Sequence, residues 1–521
     1  MCSSFPRLRI WSFFALATLL TACLAINGGS LWDDEGYRSF FALHNDLGNM
    51  LAYTGRDKQF AFVFYEWLWL AVFPHSEVGM RAMNVPFLFL GVCYLAKMLQ
   101  HRGLSPLWAV VMLLHPMVWY YVNEVSPYII MLAASLGLCF HAFFAKKPES
   151  WGNIAGMNAC FLLGYACHFI FGFAYFIIAA GLIIRALRRE RVAWGRYISV
   201  FAAFCLCYLP LTWWYWIHME DGQNYGWGHP GIANIAYTVY SFLGMQGMGL
   251  SRLDIRAGEW LWRLSPQMLV QMLVLFTVFI GGATVLVLLN FRTFLRLLKQ
   301  RWVAALGICA LVFYAGAFIK YFQFWERHVI MLLVLPLVLI PQFGHALMQQ
   351  APSLRRRVSL VLFSLLGLCW VASCGNIAFN DYYRKDNFRG VAEYLRDNGY
   401  AENGVPVLAQ GNRFVYFYYE NIFPYQLPND RMLQGFGAER GKLITVNQLP
   451  ARVQMALLSS MVRRHGSALF VLCRRDTSFG GGNLDHAEEF FRCEGYNVER
   501  CADFNIFRII RLRDKLRSLP F

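Results

Sequence analysis

Charge is scarce in this chain: only 15% of its 521 residues are Asp, Glu, Lys or Arg, and acidic groups are fewer than basic ones, 31 against 47. With 58% hydrophobic residues and a mean hydropathy of +0.40, that scarcity excludes an ordinary soluble composition. Glycosylation sequons are missing altogether, which favours a bacterial origin over a secretory-pathway one. Also missing are a Walker loop, a GxSxG elbow, an HExxH helix and a CxxC metal frame, and their absence argues against ATP-driven transport and zinc hydrolysis. Most of the 14 cysteines lie inside apolar runs, as small packing residues do. Cys473, Cys493 and Cys501 fall in a polar region.

What is present is long apolar runs. A bilayer core takes about 20 apolar residues as a helix, and the sequence offers about eleven such runs, near 10–27, 82–100, 106–121, 128–145, 153–167, 168–184, 197–217, 266–290, 303–320, 329–347 and 358–375. The first follows Arg7 and Arg9 and reads as an uncleaved anchor with a cytoplasmic N-terminus. In the first loop, 37–52 has amphipathic helical spacing and 60–73 is an aromatic run too short to span, as interfacial helices are. On that topology every loop expected to be cytoplasmic is basic: Lys97 and Arg102, Lys146 and Lys147, Arg185 to Arg196, Arg292 to Arg301, and Arg355 to Arg357. The net charge of +16 therefore follows the positive-inside rule and does not call for a nucleic-acid partner.

After about residue 376 the pattern changes. Asp386 to Asn398 and Val453 to Arg464 have helical spacing, whereas 405–410 and 468–473 read as buried strands. The expectation is an α-helical membrane domain over 1–376 and an extracytoplasmic (periplasmic) soluble α/β domain over 377–521, within the usual size range. Cys493 and Cys501 suit neighbouring strands joined by a turn at Gly495, and either free thiols or a disulfide fits that spacing.

The residues with chemistry to offer gather on the extracytoplasmic side. Asp33, Asp34 and Glu35 follow the first span; they fit an acidic first helical turn, and equally a general base or cation site, since adjacent carboxylates raise one another's pKa. Glu124 sits in an aromatic hairpin between two spans, Tyr120-Tyr121-Val122-Asn123-Glu124-Val125-Ser126-Pro127-Tyr128. Glu326-Arg327-His328 opens a later span, and His168 lies at the turn between two others. Ionisable groups at membrane depth are costly and usually face a cavity or each other, although each alone also suits interface anchoring. Lys58 lies in the first loop, where an ammonium fits either a phosphate contact or a solvated charge.

These residues resemble those of a known family. An Asp-Glu pair after the first span, Asp57-Lys58 before an aromatic helix, Glu77-x-x-x-Arg81 at the start of the next span, and the Pro116 to Tyr128 hairpin look like the GT-C glycosyltransferases. More narrowly, the chain is similar to their bacterial branch related to protein O-mannosyltransferases and the lipid A aminoarabinose transferase. His168, Glu326-Arg327-His328 and the stretch from Asp381 to Leu395 continue the similarity in order. The resemblance implies a GT-C fold in the bacterial inner membrane and an inverting transfer from a polyprenyl-phosphate sugar to an envelope lipid, glycan or protein. It implies Asp34 as general base or acceptor-orienting group, Glu35 as acceptor-seating group, Lys58 and Arg327 as donor-phosphate contacts, and Glu124 as a cavity-lining carboxylate. Tyr128, His168 and His328 join them as substrate-binding residues. No cofactor is required on this reading, a divalent cation is an open option, and no metal ligands are assigned. Ser126, His328 and Gln59 depart from the family pattern, where Arg, Tyr and Pro are usual. Two rival classes are a polyprenyl-lipid transporter or flippase and a non-catalytic envelope-assembly partner; the spans show no obvious inverted repeat, and a transporter has little need of a soluble α/β domain.

Overall fold

In the computed structural model, the described residues are 7–27, 59–190, 192–217, 231–249, 277–320, 324–380, 387–398, 405–410, 443–445, 451–473, 484–504 and 507–514, with isolated positions between 29 and 42 and at 270, 273, 383 and 479. The chain divides into two compact units, one comprising Met1–Asn27, Phe41–Ser251 and Leu264–Tyr383, the other Gly28–Phe40, Arg252–Arg263 and Arg384–Phe521.

The first unit is helical. Among the described residues six helices are long and apolar enough to cross a bilayer: Glu77–His101, Phe169–Leu187, Trp194–Ile217, Arg301–Ile319, Glu326–Met348 and Leu354–Phe379. A seventh candidate, Thr277–Leu289 with Phe291–Leu298, is bent by 90°. The chain is thus a multi-pass membrane protein.

The other expected spans are present as shorter or broken helices, for local reasons. The run at 106–121 is divided into Pro106–Ala109, Val110–Leu113 and Pro116–Val122. Pro116 cannot donate to a continuing helix and holds His115 extended, so the ladder stops there and restarts. Tyr128–Cys139 passes into a π-helical turn at Phe140–Phe144. Phe60–Leu70 is 11 residues long, too short to span, as its sequence indicates. The amphipathic run at 37–52 lies outside the described residues except for Ser39 and Ala42, both helical and buried.

Among the described residues the main apolar core of this unit buries Leu88, Val92, Leu95, Met131, Leu132, Leu333 and Leu337, with smaller clusters around Trp370 and around Leu347. At the basic ends of the helices, Arg185 pairs with Glu149 at 2.6 Å and with Glu190 at 3.3 Å, and Arg301 reaches Glu190 at 2.6 Å. Both carboxylates of the loops expected to be cytoplasmic are therefore neutralised by arginines from other segments, which ties those helix ends together.

Among the described residues the second unit is built on a five-stranded sheet; with the strands numbered along the chain by the ranges that follow, its order is β2-β1-β3-β5-β4. β1 (Val407–Ala409) runs parallel to β2 (Leu443–Thr445) and to β3 (Ser467–Cys473), whereas β5 (Phe507–Asp514) is antiparallel to β3 and to β4 (Tyr496–Phe504). Alternation along β3 decides the layers. Leu469, Val471 and Cys473 pack with Phe388, Val391 and Leu395 of the helix Phe388–Asp397. Ala468, Phe470 and Leu472 pack on the other face with Leu458, Met461 and Val462 of Ala451–His465 and Phe491 of Leu484–Cys493. Cys493 and Cys501 depart from the neighbouring-strand expectation. Cys493 ends a helix, Gly495 at φ +89° makes the turn, and Cys501 lies on β4. Both thiols are free, because Cys493 belongs to a helical turn and so has no strand register opposite Cys501.

Candidate functional site

The aromatic hairpin is the frame of the site. His115 opens the helix Pro116–Val122 by accepting the Met117 N–H on Nδ1 at 3.2 Å. At the other end the last carbonyls of so short a helix have no partner within it. Asn84 supplies one: its Nδ2 donates to the carbonyls of Glu124 at 2.6 Å and Val122 at 3.2 Å. Asn123 accepts the Asn27 N–H at 3.1 Å, and the wholly buried Arg81 donates from Nη1 to the Asn27 carbonyl at 2.8 Å. The chain leaving the first span is thereby held at both polar groups of one peptide residue.

Against this frame lies the charged start of a late span. Trp325 is extended, Glu326–Leu333 forms a 3₁₀ segment, and Val329 departs from helical geometry at φ −110°, ψ 19°. Glu326 is wholly buried, and the Tyr121 hydroxyl donates to its Oε1 at 2.5 Å. The Arg327 guanidinium sits 5.6 Å from the centroid of the Tyr128 ring, a cation–π arrangement. Tyr121 and Tyr128 meet edge to face at 5.1 Å. His168 is 6.3 Å from Tyr128 and 6.1 Å from His328, ring to ring. Both histidines accept a backbone N–H on Nδ1, from Ile170 at 3.2 Å and from Trp325 at 3.1 Å. In its neutral form each ring then carries its proton on Nε2.

Of the residues singled out in the sequence, Tyr128, His168, Arg327 and His328 are brought together, and Glu124, wholly buried, belongs to the same hairpin as Tyr128. Glu35 is helical and wholly buried, and it belongs to the second unit. Asp34 and Lys58 lie outside the described residues. Sequence reasoning left Tyr121, Glu326, Asn84 and Asn123 without roles. Glu326 carried a usable signal as a carboxylate beside Arg327, whereas Asn84 carried none. It also passed over Glu66, a wholly buried carboxylate in the helix Phe60–Leu70, whose signal was a lone charge in an otherwise apolar aromatic run. Among the described residues no three His, Cys, Asp or Glu side chains converge as a metal site would require.

The arrangement offers one cation over an aromatic face, two imidazoles and two buried carboxylates at the loop ends of the helices. Those groups suit a phosphate-bearing, hydroxyl-rich ligand.

No family model matches the sequence, and no curated protein does. Among solved structures the chain is similar to ArnT from Cupriavidus metallidurans in the apo state, with a TM-score of 0.51 at 11% identity over 98% of this chain and 99% of that one. The same protein bound to undecaprenyl phosphate gives a TM-score of 0.46 at 11% identity over 96% and 97% of the two chains. The apo oligosaccharyltransferase of Archaeoglobus fulgidus gives 0.46 at 10% identity over 95% and 73%. The chain has the fold of ArnT over its whole length, which is the GT-C fold expected from the motifs.

Proposed function

We propose that this protein is an inverting membrane glycosyltransferase that moves a sugar from a polyprenyl-phosphate donor to a hydroxyl or phosphate of an envelope lipid, glycan or protein. The observation that carries the reading is the gathering of Arg327, His328, His168 and Tyr128 at one set of loop ends in a chain with the ArnT fold. An inner-membrane location, with these loops and the second unit facing the periplasm, belongs to the same proposal.

In the reaction, the acceptor oxygen attacks the anomeric carbon as the bond from that carbon to the phosphate oxygen breaks. Polyprenyl phosphate leaves. Asp34 takes the acceptor proton, a contribution of about 10²–10⁴-fold for a placed carboxylate. Glu35 seats the acceptor. Charge gathers on the departing phosphate, where Arg327 and Lys58 oppose it with an effect strengthened by partial desolvation. Tyr128 and the two imidazoles supply an aromatic wall and Nε2 donors for sugar hydroxyls. Glu124 lines the cavity.

The test is incubation of the purified protein with polyprenyl-phosphate sugars, read by mass spectrometry for sugar-modified lipid, glycan or protein. Transfer by the wild-type protein and its loss in Asp34→Asn, with expression and membrane insertion intact, is the expected result. Near-normal transfer by Asp34→Asn removes the base assignment. Wild-type protein that neither binds a polyprenyl phosphate nor transfers sugar overturns the reading in favour of an assembly role.

A further inference from the structure

The helix Phe291–Leu298 lies outside the candidate site, and its surface is divided lengthwise. Phe291, Leu295 and Leu298 are exposed at i, i+4 and i+7; Arg292, Arg296 and Lys299 repeat that spacing one position on and are exposed too. At 3.6 residues per turn these are two parallel stripes on neighbouring faces. Phe294 and Leu297 pack instead on the cluster of Leu286, Phe343 and Leu347. Both ends of the helix are fixed. It turns by 90° from Thr277–Leu289 at Asn290, which is wholly buried. Asn290 Nδ2 donates to the Leu286 carbonyl at 3.0 Å and the Ser359 hydroxyl at 2.8 Å, and its Oδ1 accepts from Gln350 Nε2 at 2.9 Å. At the exit, Gln300 donates to Gln342 Oε1 and accepts from Trp302 Nε1, each at 2.7 Å, where the span Arg301–Ile319 begins.

We infer that Phe291–Leu298 lies flat at the bilayer boundary, with Phe291, Leu295 and Leu298 among the acyl chains and Arg292, Arg296 and Lys299 on the phosphates of anionic phospholipid. A quarter turn away from the run read as a span, 266–290, leaves the helix parallel to the membrane surface. Its two stripes then decide the depth: hydrocarbon penalises a row of cations, water penalises a row of Phe and Leu, and the boundary accommodates both. The countercharge must come from outside the chain. Glu149 and Glu190 on this basic side are already held by Arg185 and Arg301. Among the described residues, the side chains of Arg292, Arg296 and Lys299 form no hydrogen bond or ion pair with the protein. Arg355 and Arg357 add to the same field, since they stand between Gln350 and Ser359, the two residues that hold Asn290. Basic segments at a membrane surface attract anionic headgroups in this way.

Two measurements on the full-length protein test the charge and the depth. The first is the ratio of phosphatidylglycerol to phosphatidylcholine retained from equimolar mixed micelles, read by native mass spectrometry. The triple variant Arg292→Gln, Arg296→Gln, Lys299→Gln is expected to lower that ratio about tenfold or more, each surface cation corresponding to about fivefold. A matched variant, Arg452→Gln, Arg463→Gln, Arg464→Gln, removes the same charge from the helix Ala451–His465 and is expected to keep the wild-type ratio. The second is photo-crosslinking from benzoylphenylalanine placed at position 291 or 295, in nanodiscs of the same two lipids, where phospholipid adducts are expected at both positions. Equal retention of the two lipids by the wild-type protein overturns the proposal, and so does a wild-type ratio in the first triple variant or an equal loss in the second. Adducts to protein alone, or none, at positions 291 and 295 overturn it as well.

Discussion

Arg327 and Arg508 are two arginines of similar burial, 7% and 9% exposed, set in contrasting surroundings. Arg508, at the start of β5, reaches Asp485 at 2.6 Å, Glu488 at 2.9 Å and Asp503 at 2.6 Å. Arg500 on β4 joins the same carboxylates at 2.8 and 2.9 Å. Here positive and negative charge cancel within one network, which fastens the helix Leu484–Cys493 to the β4–β5 edge of the sheet. Arg327 instead lies over the ring of Tyr128. An aromatic face holds a guanidinium through the quadrupole of a ring that carries no net charge. The contrast teaches that burial of an arginine says little about its role; the chemistry of what it lies against says much more.

Replacing each arginine should separate the two roles. Arg327→Ala is expected to lower sugar transfer by about 10²-fold or more, the scale of removing one preorganised charge from a developing anion, with the second unit melting unchanged. Arg508→Ala is expected to do the reverse. It leaves Glu488, whose side chain is 2% exposed, to Arg500 and Arg492 alone and removes the bonds to Asp485 and Asp503 as well; losing hydrogen bonds between charged groups costs about 1.5–3 kcal/mol each, less where solvent screens them. Calorimetry of the two variants beside transfer assays checks both. An Arg508→Ala protein as stable as wild type, or an Arg327→Ala protein with full transfer, erases the distinction.

A smaller effect is expected where a carboxylate of the network is made neutral. Glu488→Gln keeps a hydrogen-bond acceptor for Arg500 and Arg508 but removes the charge, and a loss of about 1–3 kcal/mol follows. A thermal melt of the second unit reads it. Transfer should stay within about twofold of wild type, since Glu488 holds Arg492, Arg500 and Arg508 within its own unit.

How far these roles were legible in the sequence follows from the range of the forces involved. Spans and strands were readable because they depend on local periodicity: the helices Trp194–Ile217 and Leu354–Phe379 and the strand Ser467–Cys473 lie where hydropathy put them. Arg327 and Tyr128 were readable as site candidates because a polar residue at a span end is unusual. Their mutual contact was not, since it joins segments some 200 residues apart (327 − 128 = 199). The same distance hid the Tyr121–Glu326 bond. Asn84 shows the limit most plainly: nothing in Met83-Asn84-Val85 announces an amide that caps a hairpin 40 positions away. The break at His115-Pro116 was visible as a proline, yet apolarity on both sides made 106–121 read as one span.

The mildest way to sharpen the comparison is acid. Hydrogen bonds from Arg508, against a smaller opposing effect of burial, and then its charge and that of Arg500, hold Asp485 below the ordinary carboxylate value of 3.8. A group depressed in the folded state contributes stability above its unfolded pKa, and that contribution is lost as pH falls through the folded value. The second unit should therefore keep its Asp485 contribution at neutral pH and lose it progressively below about pH 4. Asp485 is 70% exposed at its side chain, so solvent screens the pair and the loss is small. Circular dichroism of Asp485→Asn beside wild type reads it: the two should differ near pH 6 and converge near pH 2. Curves that run parallel through that range would show that Asp485 contributes no charge-dependent stability to the network. Cancellation of charge around Arg508 would then rest on Glu488 and Asp503, and the network would be anchored on the sheet edge and the interior of the helix, with its solvent-facing carboxylate a bystander.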